Sequence, residues 1–162
     1  MDYTQDGSKL ITGGQDFTLR VYDDETKKLV KEFPGENSSK YVACHSNSIF
    51  SIKTDPLNEN MVYSGGHDRV VILSDLREDK AVSHISGPML TGDTLDVYDY
   101  YLLTGSYRSE NPLEIWDVRN TEEPLWTVDW KPDNPKKSGM ILSSKFGKPS
   151  GQSVVAAGAG EN

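Results

Sequence analysis

The chain has 162 residues, 35% of them hydrophobic and 9% aromatic, with a mean hydropathy of −0.59, which suffices for one domain with a core and is not the composition of a disordered chain. Seventeen Lys and Arg against 25 Asp and Glu leave a net charge of −8, and a surface of that sign repels phosphate backbones, which argues against nucleic acid as a direct partner. Cys44 is the single cysteine, so an internal disulfide is excluded. No apolar run approaches the ~20 residues that span a bilayer, and the polar start Met1-Asp2-Tyr3-Thr4-Gln5 does not read as a secretory leader.

Taken in chain order, the sequence reads as short strands separated by turns. A first unit has strands near 9–13, 17–23 and 28–33. A second has strands near 48–54, 60–65, 69–74 and 81–85, and a third near 93–98, 100–105, 112–117 and 124–129. A fourth starts with strands near 140–146 and 152–158. The runs Leu19–Val21, Val71–Leu73 and Leu113–Ile115 alternate with period two, as half-buried strands do, and no helical period is sustained. Gly, Asp, Asn and Pro mark the turns at 6–8, 55–60 and 147–151, and 34–47, 86–92 and 130–139 read as loops.

The units are copies of one another. LITGGQDFTLRVYD (10–23), VYSGGHDRVVILSD (62–75) and LLTGSYRSENPLEIWD (102–117) each run from an apolar stretch through Thr or Ser and Gly into a turn, then through alternating residues to an Asp. VVAAGAGEN (154–162) starts a fourth copy. Thr12, Ser64, Thr104 and Ala157 are read as equivalent, at intervals of 52, 40 and 53 residues. A repeat of about 40–45 residues with two long insertions fits that spacing.

With Trp116-Asp117 closing the third unit, Tyr22-Asp23 and Ser74-Asp75 at the same place in the others, and Cys44-His45 ahead of the second, the chain resembles the WD-repeat β-propeller family over essentially its whole length. The resemblance implies an all-β fold, an incomplete propeller of four-stranded antiparallel blades. Blade one is partial at 1–34, blades two and three cover 45–86 and 92–130, and blade four is partial at 139–162. It also implies a buried hydrogen-bond chain in each blade, linking His, turn Asp, strand Ser or Thr, and Trp. The positions that match are His45, Asp68 and Ser64 in blade two, with Ser74 where the family has Trp; Thr12 and Asp16 with Tyr22 in blade one, which has no His; and Thr104 and Trp116 in blade three, which has no turn Asp. Such a chain satisfies buried polar groups and stiffens the blade.

Other chemistry is weakly supported. His45, His67, His84 and Cys44 lack metal-ligand spacing. No nucleophile elbow accompanies the Ser and Asp residues. The Gly-rich AAGAG (156–160) has no following Lys and aligns with the repeat turn. Trp116 reads as core, while Trp126 lies on an outer strand with either face open. The Asn37-Ser38-Ser39 sequon is expected to be silent without a secretory route. No cofactor and no metal are expected, and the protein is expected to be intracellular, cytoplasmic or nuclear.

Binding on such a scaffold belongs to the loops of a rim. Gln15, His67, Tyr107 and Arg108 occupy equivalent turn positions, and Asn47 and Asp93 come from the connectors on the same rim. The third turn is longer by two residues, and Tyr and Arg are favoured hot-spot types, so Tyr107 and Arg108 are the preferred contacts. The expected function is a non-catalytic protein-interaction scaffold that recruits a subunit of a larger complex. Two alternatives stand beside it. Ser74-Asp75-Leu76-Arg77 and Trp116-Asp117-Val118-Arg119 resemble endings that face the adaptor in substrate receptors of cullin-RING ubiquitin ligases. The chain is otherwise the non-catalytic part of an enzyme whose catalytic residues lie elsewhere. The expected partners are other proteins, without nucleic acid or membrane insertion. The repeat projects beyond both ends of the 162 residues, giving about three and a quarter blades, with the first blade's innermost strand present as a tail at most. The segment is expected to belong to a longer chain; otherwise open blade edges would favour self-association.

Overall fold

The computed structural model describes residues 1–35, 44–128, 130, 140–148 and 150–159. The expected loops 34–47 and 130–139, the sequon at 37–39 and the last residues of the fourth unit fall wholly or partly outside these residues. Among the described residues the secondary structure is entirely β.

Three four-stranded antiparallel sheets and one two-stranded sheet follow one another along the chain, each with its strands in sequence order. The first holds β1 (Asp2–Tyr3), β2 (Lys9–Gly13), β3 (Leu19–Asp23) and β4 (Leu29–Phe33). The second holds β5 (Ile49–Thr54), β6 (Met61–Gly66), β7 (Val70–Asp75) and β8 (Ala81–Ser86). The third holds β9 (Leu95–Tyr98), β10 (Tyr101–Gly105), β11 (Leu113–Asp117) and β12 (Trp126–Thr127). The last pairs β13 (Met140–Phe146) with β14 (Val154–Ala159). The tail expected for the first innermost strand is the two-residue β1, paired Asp2↔Ile11 and Tyr3↔Leu10.

Period-two alternation places one apolar set of each sheet against its neighbour. Ile11, Leu19 and Val21 of the first sheet meet Ile49, Ile52 and Val62 of the second. Tyr63, Val71 and Leu73 on the other side of the second sheet meet Leu95, Leu102 and Trp116 of the third. Leu103 and Leu113 then meet Phe146. Each such aliphatic side chain contributes about 1.5–3 kcal/mol on burial, so the sheets hold together by flank-to-flank apolar contact.

Polar contacts set the register between sheets. The carbonyl two residues beyond the repeat Thr or Ser accepts from the next sheet in all three cases: Ile49 N–H to Gly14 O at 3.1 Å, Leu90 N–H to Gly66 O at 2.9 Å, and Ile141 N–H to Ser106 O at 3.1 Å. The innermost strands add a carboxylate clasp. Thr54 N–H donates to Asp2 Oδ2 at 3.0 Å, and Phe146 N–H donates to Asp96 Oδ2 at 2.9 Å. Glycines allow this closeness: a Cβ on Gly13 would crowd Ile49 and Ile52, and one on Gly105 would crowd Ile141 and Ser144.

Those contacts correct the alignment of the fourth unit. Ile52 and Ser144 occupy the same place against the preceding glycine, and they pair with Ser64 and Ala156. Ala156, not Ala157, therefore takes the repeat position. The run of small residues 156–158 carries no phase by which the sequence could separate the two.

Candidate functional site

The turns joining the second and third strands of each sheet, at 14–18, 67–69 and 106–112, share one rim with the described residues that lead into β5 and β9, among them Ser46, Ser48 and Met89. Their shape repeats. Phe17, Arg69 and Asn111 adopt left-handed backbone with φ of 64°, 61° and 47°, which only Asn among these residue types tolerates well. The lengthened third turn thus has the same final bend, with Ser109 and Glu110 as its extra residues.

Beneath this rim lies the polar chain of the second sheet. His45 Nδ1 donates to Asp68 Oδ2 at 2.7 Å, and Ser46 N–H donates to the same oxygen at 3.1 Å. With Nδ1 protonated against the carboxylate, Nε2 accepts from Ser64 Oγ at 2.9 Å. Burial raises the Asp68 pKa, but the His45 bond and the backbone donors together hold it below the ordinary carboxylate value. Ser–His–Asp in this order is also the arrangement of a nucleophilic triad. Ser64 and His45 are buried, however, and the adjoining cavity of about 20 Å³, bordered by Cys44 and Ser74, is large enough for a water but too small for an acyl group. In the third sheet Trp116 Nε1–H donates to Thr104 Oγ1 at 3.0 Å.

The first sheet departs from the expected network. Asp16 does not join Thr12 but pairs with Arg20 at 2.6 Å, and Arg20 also meets Glu32 at 3.0 Å. The turn carboxylate is instead held by a cation on β3. The third sheet carries the same pair with the charges exchanged: Arg108 stands in the turn and Glu114 at the strand position of Arg20.

Arg108, expected as a partner contact on the rim, is held within the third sheet. Its Nε and Nη2 donate to Asn111 O at 3.1 and 2.9 Å, and Nη2 lies 2.6 Å from Glu114 Oε2. With the donor directed at the carbonyl, the carboxylate receives charge attraction in place of an aligned hydrogen bond. Burial pushes the Glu114 pKa up, opposed by Arg108. The guanidinium thus ties the long turn to the strand behind it.

The other rim residues are placed as follows. Gln15 and Asn47 are exposed, and Asn47 Oδ1 accepts from Ser48 N–H at 2.7 Å. Asp93 pairs with Lys145 at 2.7 Å. Tyr107 is 37% exposed, and its N–H donates to Met89 O at 2.7 Å, so its backbone is fixed to the connector of the preceding sheet. His67 stacks on Phe50 with ring centroids 4.8 Å apart.

Phe50 was not legible as a rim residue. A bulge between Ile49 and Ser51 turns it outward, 45% exposed, and the equivalent bulge between Ile141 and Ser143 turns out Leu142, 41% exposed. The apolar run Ile49-Phe50 reads as buried strand, and nothing in it signals the extra residue.

Residues 1–23 match the family model for the WD domain, G-beta repeat. The U5 small nuclear ribonucleoprotein 40 kDa protein of Dictyostelium discoideum is 26% identical over 131 residues, covering 79% of this chain and 33% of the relative. The GATOR2 complex protein WDR24 of Danio rerio is 24% identical over 102 residues, covering 56% of this chain and 13% of the relative. In these matches and in its repeated sheets the chain is similar to WD-repeat proteins. It spans about a third or less of the length of these relatives.

The two WD-type endings lie on the rim opposite the long turns, and they are alike. Arg77 Nε and Nη2 clasp Asp75 at 3.0 and 2.7 Å, and Arg119 clasps Asp117 at 2.8 and 2.6 Å while stacking over Tyr100 at 4.3 Å. The Arg119 clasp draws the Asp117 pKa down to about 2. Among the described residues no group of His, Cys, Asp and Glu is arranged to hold a metal ion, and no helix is long and apolar enough to cross a membrane.

Proposed function

We propose that this WD-repeat chain, divided into blades at 1–34, 45–86, 92–130 and 139–162, is a non-catalytic scaffold that docks a protein subunit of a larger intracellular complex. Docking uses the rim of Gln15, Asn47, His67, Asp93 and Tyr107, joined by Phe50. The observation that carries the reading is the pair of exposed aromatic side chains on fixed backbone: Phe50 held over His67, and Tyr107 anchored through its N–H to Met89. Rigid aromatic groups bind at low entropic cost. The names of the two relatives, one a ribonucleoprotein component and one a GATOR2 complex protein, support membership of an assembly. Phe50→Ala with Tyr107→Ala is expected to lower recovery of partner subunits at least about tenfold in quantitative affinity capture, with an unchanged circular dichroism spectrum. Unchanged recovery of every partner sinks the reading.

A second reading is favoured by the matching, exposed clasps of Arg77 and Arg119 on the opposite rim, which suit the adaptor-facing role of a cullin-RING substrate receptor. Co-purification with a cullin adaptor, lost in Arg77→Ala with Arg119→Ala, separates it from the first.

A further inference from the structure

We propose that the rim opposite Phe50 and Tyr107 carries a second docking site, a groove between the first and second sheets that takes an extended basic peptide. The groove has a volume of about 500 Å³ and runs between the turn after β1, with Gln5 and Asp6, and the turn Pro56–Asn60.

Both walls are set before any ligand arrives. Asp6 Oδ1 accepts from Thr4 Oγ1 at 2.7 Å and from Ser8 N–H at 3.0 Å, and Gly7 N–H closes the turn on Thr4 O at 2.8 Å. Across the groove, the buried Asp55 accepts from Leu57 N–H at 2.7 Å, Asn58 N–H at 3.1 Å and Tyr63 O–H at 2.5 Å. A wall held this way loses little freedom when a ligand binds. On it sits Leu57, 61% exposed.

Charge selects the occupant. Asp6 and Glu59 face the groove and make no ion pair among the described residues. Hydrogen bonds from Thr4 and Ser8 draw the Asp6 pKa down to about 2, so it stays ionised. Arg77, whose charge reaches Glu59, is already clasped by Asp75. The neighbouring turns of this rim add exposed Glu25, Glu78, Glu122 and Glu123. A Lys or Arg between Asp6 and Glu59, with an apolar neighbour on Leu57, matches both features.

A fluorescein-labelled octapeptide of alternating Lys and Leu, titrated into the full chain and followed by anisotropy, tests the site. Wild type is expected to bind it, more weakly as salt rises, and to bind an alternating Glu and Leu octapeptide far less. Asp6→Asn with Glu59→Gln is expected to weaken binding about fivefold, and Leu57→Ser to weaken it without altering the salt dependence. Glu122→Gln with Glu123→Gln removes the same charge elsewhere on the rim and should change affinity less than about twofold. Equal losses in the two charge variants, equal binding of the acidic peptide, or no binding by wild type overturns the proposal. Capture through Phe50 and Tyr107 should survive the groove variants, so the two sites fail independently.

Discussion

At the scale of single residues, the exchanged pairs Asp16–Arg20 and Arg108–Glu114 show one position solving the same problem with opposite charges. The turn residue needs a partner on the strand behind it, and the sign is free as long as both members change. Removing one member does not leave that freedom. Arg108→Ala leaves the Glu114 carboxylate buried without a cation and is expected to cost about 2 kcal/mol at neutral pH. The pH dependence has a definite sign. Burial already raises the folded pKa of Glu114 above its ordinary 4.5, and loss of the cation raises it further. An acid with a raised folded pKa contributes most when protonated, so the variant lies closest to wild type below pH 4.5. Its deficit grows as pH rises through the folded value. Thermal melts from pH 4 to 8 should show this, with the pH dependence of the deficit abolished in Arg108→Ala with Glu114→Gln. A pH-independent deficit would mean that the loop bonds to Asn111, not the charge, carry the effect.

At the scale of elements, the glycines following the repeat Thr or Ser set close approaches, between sheets at Gly13 and Gly105 and within the second sheet at Gly66. A Cβ on Gly66 would run into the Ser48 carbonyl, and that backbone cannot yield without disturbing the β5–β6 pairing at Ile49↔Gly66. Gly66→Ala is therefore expected to destabilise by about 2–3 kcal/mol in urea unfolding, whereas Gly14→Ala, which meets only Asp16 at 3.5 Å, should stay within about 1 kcal/mol. These strands were legible because alternation and Gly-rich turns repeat three times, and each copy confirms the phase of the others. Where that redundancy fails, the reading fails too. The Ala156–Ala157 ambiguity arises in a run of small residues. The bulge that exposes Phe50 inserts one residue without altering the apolar pattern. The Arg108–Glu114 pair links residues whose spacing was stretched by the two-residue insertion, so the Asp16–Arg20 spacing gave no guide to it.

At the scale of the whole molecule, the apolar clusters of the described residues join each sheet to its neighbours in sequence. The second sheet is packed on both faces, by Ile11, Leu19 and Val21 on one side and by Leu95, Leu102 and Trp116 on the other. The third is likewise covered by the second and by Phe146. Among the described residues the first and last sheets have one covered face each, and their other faces carry half-buried Leu10 and Tyr22 or the exposed Val155. In a linear array the free energy of opening rises with the number of neighbours that must be released. In these 162 residues taken by themselves, amide hydrogen exchange under native conditions should therefore be graded from the middle outward. Protons of β6, β7 and β10 should exchange at least about tenfold more slowly than those of β2, β3 and β14. The inter-sheet bonds at Ile49, Leu90 and Ile141 are the informative amides, because each reports one junction. Ile49 and Ile141 should open with the outer sheets, and Leu90 only with the middle pair. Uniform protection across all four sheets would show that the row unfolds as one unit, with the junctions at its ends as strong as the one at its centre.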